Sequence, residues 1–121
     1  MSILSEEEVE KFLKEFKRFA KKKIYGEDRD SWLRDLIDLQ LTKSERNEII
    51  FSFTSENYFR GPSPDVDRPG EVWEFGYDHD GVEIYIKLKL VVGRVGVYAK
   101  CISFHKAREP IKYMYKKGEL K

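Results

Sequence analysis

The sequence predicts an α+β fold in which N-terminal helices pack on one face of a small three- to four-stranded antiparallel sheet. Two patterns predict it: apolar residues recur at helical spacing through the first half, and they alternate with period two between residues 71 and 105. A proline-rich stretch, Gly61 to Gly70, separates the halves. A length of 121 residues suits a single domain, 1–121, with a helical part at about 5–60, a loop at 61–70, the sheet at about 71–105 and a tail at 106–121.

Each element has its own signal. Ser5 with Glu8 forms a capping box, and Val9, Phe12, Leu13, Phe16 and Phe19 follow at helical spacing, which predicts a helix from about 6 to 22. The lysines at 21, 22 and 23 suit the negative end of its dipole. Asp28 or Asp30 is placed to cap a second helix, with Leu33, Leu36 and Ile37 on one face beside Trp32, ending near Gln40. Thr42 with Glu45 opens a third helix through Ile49, Ile50 and Phe51, and Thr54 caps a last turn carrying Tyr58, Phe59 and Arg60. The segment GPSPDVDRPG has three prolines and two glycines in ten residues and reads as a stiff loop beside the sheet edge. Strands are expected at Glu71 to Tyr77, Val82 to Val92 and Val97 to Phe104, the first two joined by the hairpin dipeptide Asp80-Gly81. Beyond them, Pro110, Ile111, Tyr113 and Met114 suit either an edge strand or a docked tail.

Composition narrows the class. With 40% hydrophobic residues the chain can bury a core, while 37% charged residues must cover its surface. No apolar run approaches the roughly 20 residues that span a bilayer, and the acidic start lacks the layout of a signal peptide, so a cytoplasmic protein without membrane contact is expected. Cys101 stands alone and cannot form an internal disulfide. Net charge is +1, yet residues 82–121 carry ten Lys or Arg against three acids. A basic block of that kind attracts polyanions, or is simply a solvated lysine-rich tail.

Alternation decides which side chains share a surface. Val82, Ile84, Ile86, Leu88 and Leu90 point one way and Glu83, Tyr85, Lys87 and Lys89 the other. The same rule sets Glu74 opposite Trp73 and Phe75, and Ser103 and His105 opposite Ile102 and Phe104. An acid, a phenol, an ammonium and an imidazole on one wet face are the parts of a proton-transfer site. Singly each has a plainer reading: His105 as a surface hydrogen-bonding residue, Glu74 as a cross-strand partner of Lys87. Asp67, Asp78, His79 and Asp80 have metal-ligand residue types, but carboxylates beside a glycine are what a tight turn uses, so no metal is expected there. No phosphate-binding glycine loop and no glycine-flanked nucleophilic serine is present, and no cofactor is indicated.

The segments SENYFRGPSPDVDRPG, EVWEFGYDHDGVEIYIKLKL and KCISFHKA together resemble the MqsR family of toxins from toxin-antitoxin systems, over roughly residues 28 to 108. The resemblance implies a RelE-like fold, an mRNA interferase activity, messenger RNA as substrate and a cognate antitoxin protein as partner, with cleavage either on the ribosome or without it. It carries the family's active-site positions onto Phe59, Arg60, Glu74, Tyr85, Lys87 and His105. Three positions depart from the family pattern: Arg60 stands for a lysine, Glu74 for an amide, and His105 where a lysine is expected.

RNA cleavage without metal needs a base for the ribose 2′-hydroxyl, an acid for the leaving 5′-oxygen and cations for the phosphate. The expected catalytic residues are Glu74 as base and His105 as acid, or the reverse, with Tyr85 orienting the hydroxyl or stacking on a base. Arg60 and Lys87 would hold the phosphate and Phe59 would line the substrate. The alternative is a non-catalytic RNA- or protein-binding module that uses the same basic face.

Overall fold

The computed structural model describes the backbone of residues 5–26 and 29–115. Helices begin where the capping signals stand. The Ser5 hydroxyl accepts from the Glu8 N–H, the Glu8 carboxylate accepts from the Ser5 N–H, and α1 follows over Glu6–Ala20. It buries Val9, Phe12, Leu13 and Phe16. Helix α2, Arg29–Leu39, buries Leu36 and Leu39, whereas Leu33 and Ile37 are exposed. Trp32, Leu36 and Leu39 form the i, i+4, i+7 stripe that meets the core, which turns Leu33 and Ile37 about one residue outward from the expected face. The Asp28 or Asp30 cap expected for α2 lies outside the described residues and side chains. Helix α3, Lys43–Phe51, opens on the Thr42 and Glu45 capping box and buries Ile49 and Ile50.

The helices pack against a five-stranded sheet, larger than expected and mixed in direction. Its strands are β1 (Ile24–Gly26), β2 (Tyr58–Pro64), β3 (Glu71–His79), β4 (Val82–Gly93) and β5 (Gly96–Lys106), in the order β1-β5-β4-β3-β2. All neighbours are antiparallel except β1, which runs parallel to β5. The expectation of three to four antiparallel strands is corrected at both edges. Strand β1 has three residues, too few for alternation to register. Strand β2 holds Gly61, Pro62 and Pro64, which read as loop; an edge strand tolerates proline because one side of its backbone needs no ladder bond. The helical part therefore contains β1 and ends before Tyr58, and the loop is shorter than 61–70. Thr54 does cap a turn, but it is a 3-10 turn over Ser55–Asn57, and Tyr58, Phe59 and Arg60 belong to β2.

One face of the sheet carries the core. Phe75 is fully buried and its ring meets those of Phe12, Phe53 and Tyr58, while Ile84, Ile86, Leu88, Ala99, Cys101 and Phe104 extend the layer. The Asp80-Gly81 turn has positive φ at both residues, 51° and 89°, as a tight hairpin requires, and the Asp78 carboxylate accepts from the Gly81 N–H. Among the described residues no helix is long and apolar enough to cross a membrane.

The loop after β2 is clasped to the sheet. Lys89 Nζ donates to Asp65 Oδ2 at 2.6 Å and to the Pro69 carbonyl at 2.7 Å, and its side chain is only 3% exposed. Lys89 is thus a buried clasp and not part of an open cationic face. The hydrogen bond from Lys89, joined by the Asp67 N–H, lowers the Asp65 carboxyl from 3.8 to about 2. Because the folded value lies below the unfolded one, the stability this group contributes is complete above pH ~4 and is lost as pH falls toward 2. Acid titration of wild-type protein should therefore unfold or loosen the loop in that window. Asp65→Asn should be less stable near neutrality and should flatten the pH dependence, as read by chemical denaturation at a series of pH values.

Candidate active site

Two successive rungs of the sheet build the polar face. In one, Arg60 of β2, Glu74 of β3, Lys87 of β4 and Ser103 of β5 are register partners in turn. In the next rung on the same face, Gly76, Tyr85 and His105 align. Strand period alone would not give this row, because Tyr58 and Arg60 are two apart and should share a face, as should Cys101 and Ser103. A register shift lies between Tyr58 and Arg60, and another in the β4 to β5 pairing between Lys87 and Leu88. In each, the bulged strand spends an extra residue, Phe59 or Ile102, so Tyr58 and Cys101 enter the core while Arg60 and Ser103 reach the polar face. Bulges re-aim side chains in this way beside many active sites.

Glu74 organises the row. It is 5% exposed, and its oxygens accept from flanking strands: Oε2 from Arg60 Nε at 3.0 Å and Oε1 from the Tyr85 hydroxyl at 2.6 Å. The Glu74 bond holds Arg60 firmly protonated. Burial, then the bond to Glu74, pushes the Tyr85 phenol well up, so near neutrality it stays protonated with its hydrogen on the carboxylate. Arg60 spends one nitrogen on this pair; its side chain is 63% exposed and its terminal nitrogens bond to no described residue. Lys87 faces Glu74 in register, yet among the described residues it pairs with no carboxylate, since both Glu74 oxygens are engaged elsewhere. The sheet therefore presents one cation that no described carboxylate neutralises, Lys87 of β4, beside Arg60 of β2, which is paired with Glu74 through Nε and whose terminal nitrogens bond to no described residue.

His105 sits 5.2 Å from Tyr85, ring centre to ring centre, and its Nδ1 lies 2.9 Å from the Lys106 carbonyl. A carbonyl only accepts, so in this contact Nδ1 carries the hydrogen and Nε2 is the nitrogen left to exchange a proton. Phe59 lies under Arg60, whose guanidinium is 4.6 Å from the ring centre. A cleft of about 280 Å³ joins Phe59, Arg60, Tyr85, Lys87, Ser103 and His105. All five candidates other than Glu74 line it, and Glu74 lies behind Tyr85.

The wall opposite comes from the tail, which docks as an irregular segment. The Ile111 N–H and the Tyr113 hydroxyl both donate to the Glu83 carboxylate, and the Ala107 N–H donates to the Glu83 carbonyl. A side chain at Gly76 would strike Tyr113 and Ile111, with contacts of 2.6 and 2.7 Å, so the glycine opens the path by which the tail crosses β3. Ala107 to Ile111, including the exposed Arg108, thereby close the cleft. Alternation missed these residues because they lie outside any strand. The one sequence signal was Gly76 itself, since glycine inside a strand often marks close approach of another segment. Among the described residues no group of three His, Cys, Asp or Glu side chains is arranged to hold a metal ion.

No protein-family description, curated protein or solved structure significantly matches the chain. The geometry makes a stability statement of its own: Glu74→Gln puts an amide N–H against a donor and strands either Arg60 or Tyr85. Unfolding in urea should show a loss of about 1–3 kcal/mol. Wild-type stability in that variant would contradict the account of Glu74 as a satisfied buried acceptor.

Proposed function

We propose that this face is the active site of an endoribonuclease of the MqsR type, a toxin with RelE-like architecture that cleaves single-stranded messenger RNA without a metal. One observation carries the reading: a phenol bonded to a buried carboxylate, an imidazole with one committed nitrogen, the unpaired ammonium of Lys87 and the Arg60 guanidinium, held through Nε by that carboxylate, line a single cleft. These are the groups that in-line attack by a 2′-hydroxyl needs, and few other reactions need all of them.

In the proposed reaction Arg60 and Lys87 hold the scissile phosphate, with Phe59 beside it. The 2′-hydroxyl attacks phosphorus and gives its proton to the Tyr85 oxygen while Tyr85 passes its own proton to Glu74. Glu74 is 5% exposed, so it serves as a base only through Tyr85. The raised phenol keeps phenolate from accumulating, which requires the two transfers to be concerted. The bond from phosphorus to the 5′-oxygen breaks as His105 delivers the Nε2 proton to that oxygen. Products are a 2′,3′-cyclic phosphate and a 5′-hydroxyl, and solvent then returns the proton from Glu74 to His105. Proton transfer of this kind contributes about 10²–10⁴-fold, and the fixed cations supply charge stabilisation besides. Messenger RNA as substrate implies a cytoplasmic site of action, with or without the ribosome, and an antitoxin whose acidic segment covers the cations.

Labelled RNA should be cut in the presence of EDTA to give cyclic phosphate ends. His105→Ala and Tyr85→Phe should each lower kcat by about 10²–10⁴-fold while RNA binding persists. Lys87→Ala should weaken phosphate binding and steepen the loss at high salt. Abolition by EDTA, or undiminished cutting of a strand with deoxyribose at the cleavage position, would overturn the mechanism. Binding without cleavage across diverse RNAs, ribosomes included, would make the protein a binding module.

A further inference from the structure

The polar face does not stop at the cleft. Past the Lys87 rung the clasped loop covers Lys89 and its neighbour Lys100, 3% and 9% exposed, and beyond them Val91 stands beside Tyr98 while β1 places Tyr25 next to Lys100. Tyr25 is 43% exposed, and its ring meets that of Tyr98 edge-on with centres 4.8 Å apart. Lys23 Nζ lies 4.5 Å from the centre of the Tyr25 ring. A second cleft of about 520 Å³ opens here, bounded by Arg68 and Pro69 on the clasped loop and by Val91, Tyr98 and Lys100 on the sheet.

Aromatic pairing across strands explains why Tyr25 and Tyr98 touch. It does not explain why both stand on the wet face, beside the exposed Lys23 and Arg68 and on the same side of the sheet as the proposed phosphate site. Val91 lies four positions beyond Lys87 on β4, about 13 Å at the strand rise of ~3.3 Å per residue. That span is the length of a few nucleotides, and the clasp of Lys89 to Asp65 keeps the loop wall in place along it.

We infer that the second cleft, with Tyr25 at its rim, is a subsite for single-stranded RNA, in which nucleotides flanking the scissile phosphate pass the exposed Arg68 and Lys23 and stack a base on the Tyr98 and Tyr25 pair. Aromatic platforms among cations bind single strands with little sequence preference because every base has a stacking face. Duplex RNA keeps its bases stacked on each other and offers none. The subsite rests on the endoribonuclease reading for its position relative to the cut, but binding at the tyrosines is separable from cleavage.

Fluorescence anisotropy on the cleavage-deficient His105→Ala protein, with oligoadenylates from about three to about twelve nucleotides, tests it. Affinity should rise ~10-fold once the strand spans both clefts, Tyr25→Ala with Tyr98→Ala should erase that gain while leaving the shortest strand unaffected, and Tyr98→Phe should retain it. In the cleavage-competent background the double variant should raise KM for long strands ~10-fold with kcat unchanged. The length series requires no change at the tyrosines, so equal affinity for short and long strands overturns the subsite even if the double variant fails to fold, and Tyr25→Ala alone then tests the tyrosine dependence. Equal affinity for short and long strands, equal weakening of both lengths, or duplex binding as tight as single strand would overturn the subsite. Cleavage without tyrosine dependence removes the subsite and keeps the active site; tyrosine-dependent binding without cleavage does the reverse.

Discussion

A carboxylate inside a sheet is tolerated only when its oxygens are satisfied, and Glu74 meets that condition with groups from the strands on either side of its own. Arg60 and Tyr85 thereby become fixed points of β2 and β4. A slip of one residue in either pairing would turn Glu74 toward the aromatic core and Phe75 toward water. The polar site and the hydrophobic layer therefore specify the same register from opposite faces of β3.

That register could not be reached by regular strands. Tyr58 meets Phe75 and Trp73 edge-on and stacks on Tyr115, while Arg60, two residues on, must meet Glu74 on the other face. Cys101 packs against Leu88 while Ser103, again two on, completes the polar rung. Extra residues at Phe59 and Ile102 resolve both conflicts. The irregularities sit on either side of the site because the core demands one phase beyond them and the site demands the other. Gly61, at φ 115°, follows the first bulge where its position meets the Val72 carbonyl, a close approach that a side chain would block.

The same economy of contacts divides the charged groups by role. Lys89 is consumed by the loop and Glu83 by the tail, so neither belongs to the candidate site although both share its face. Lys87 has no carboxylate partner among the described residues because Glu74 spends its oxygens on Arg60 Nε and on Tyr85, while Arg60, paired through Nε, keeps its terminal nitrogens clear of other described partners. In the proposed function the phenol then relays the proton to the buried carboxylate, and the imidazole, held at Nδ1, presents one nitrogen for exchange.

Local signals determined much of this protein. Capping boxes set α1 and α3, the Asp80-Gly81 turn set one hairpin, and alternation over Val82 to Leu90 named Tyr85 and Lys87 as outward neighbours. Each of these depends on residues within a few positions of one another. Tertiary structure decided what depends on distant partners: β1 as a parallel edge, β2 as a strand despite its prolines, Lys89 as a clasp, the tail as the cleft wall, and the bulges that bring Arg60 and Ser103 into one row. Alternation tells which side chains share a face of one strand, but only pairing between strands fixes which of them meet, and pairing is settled by burial of the whole core.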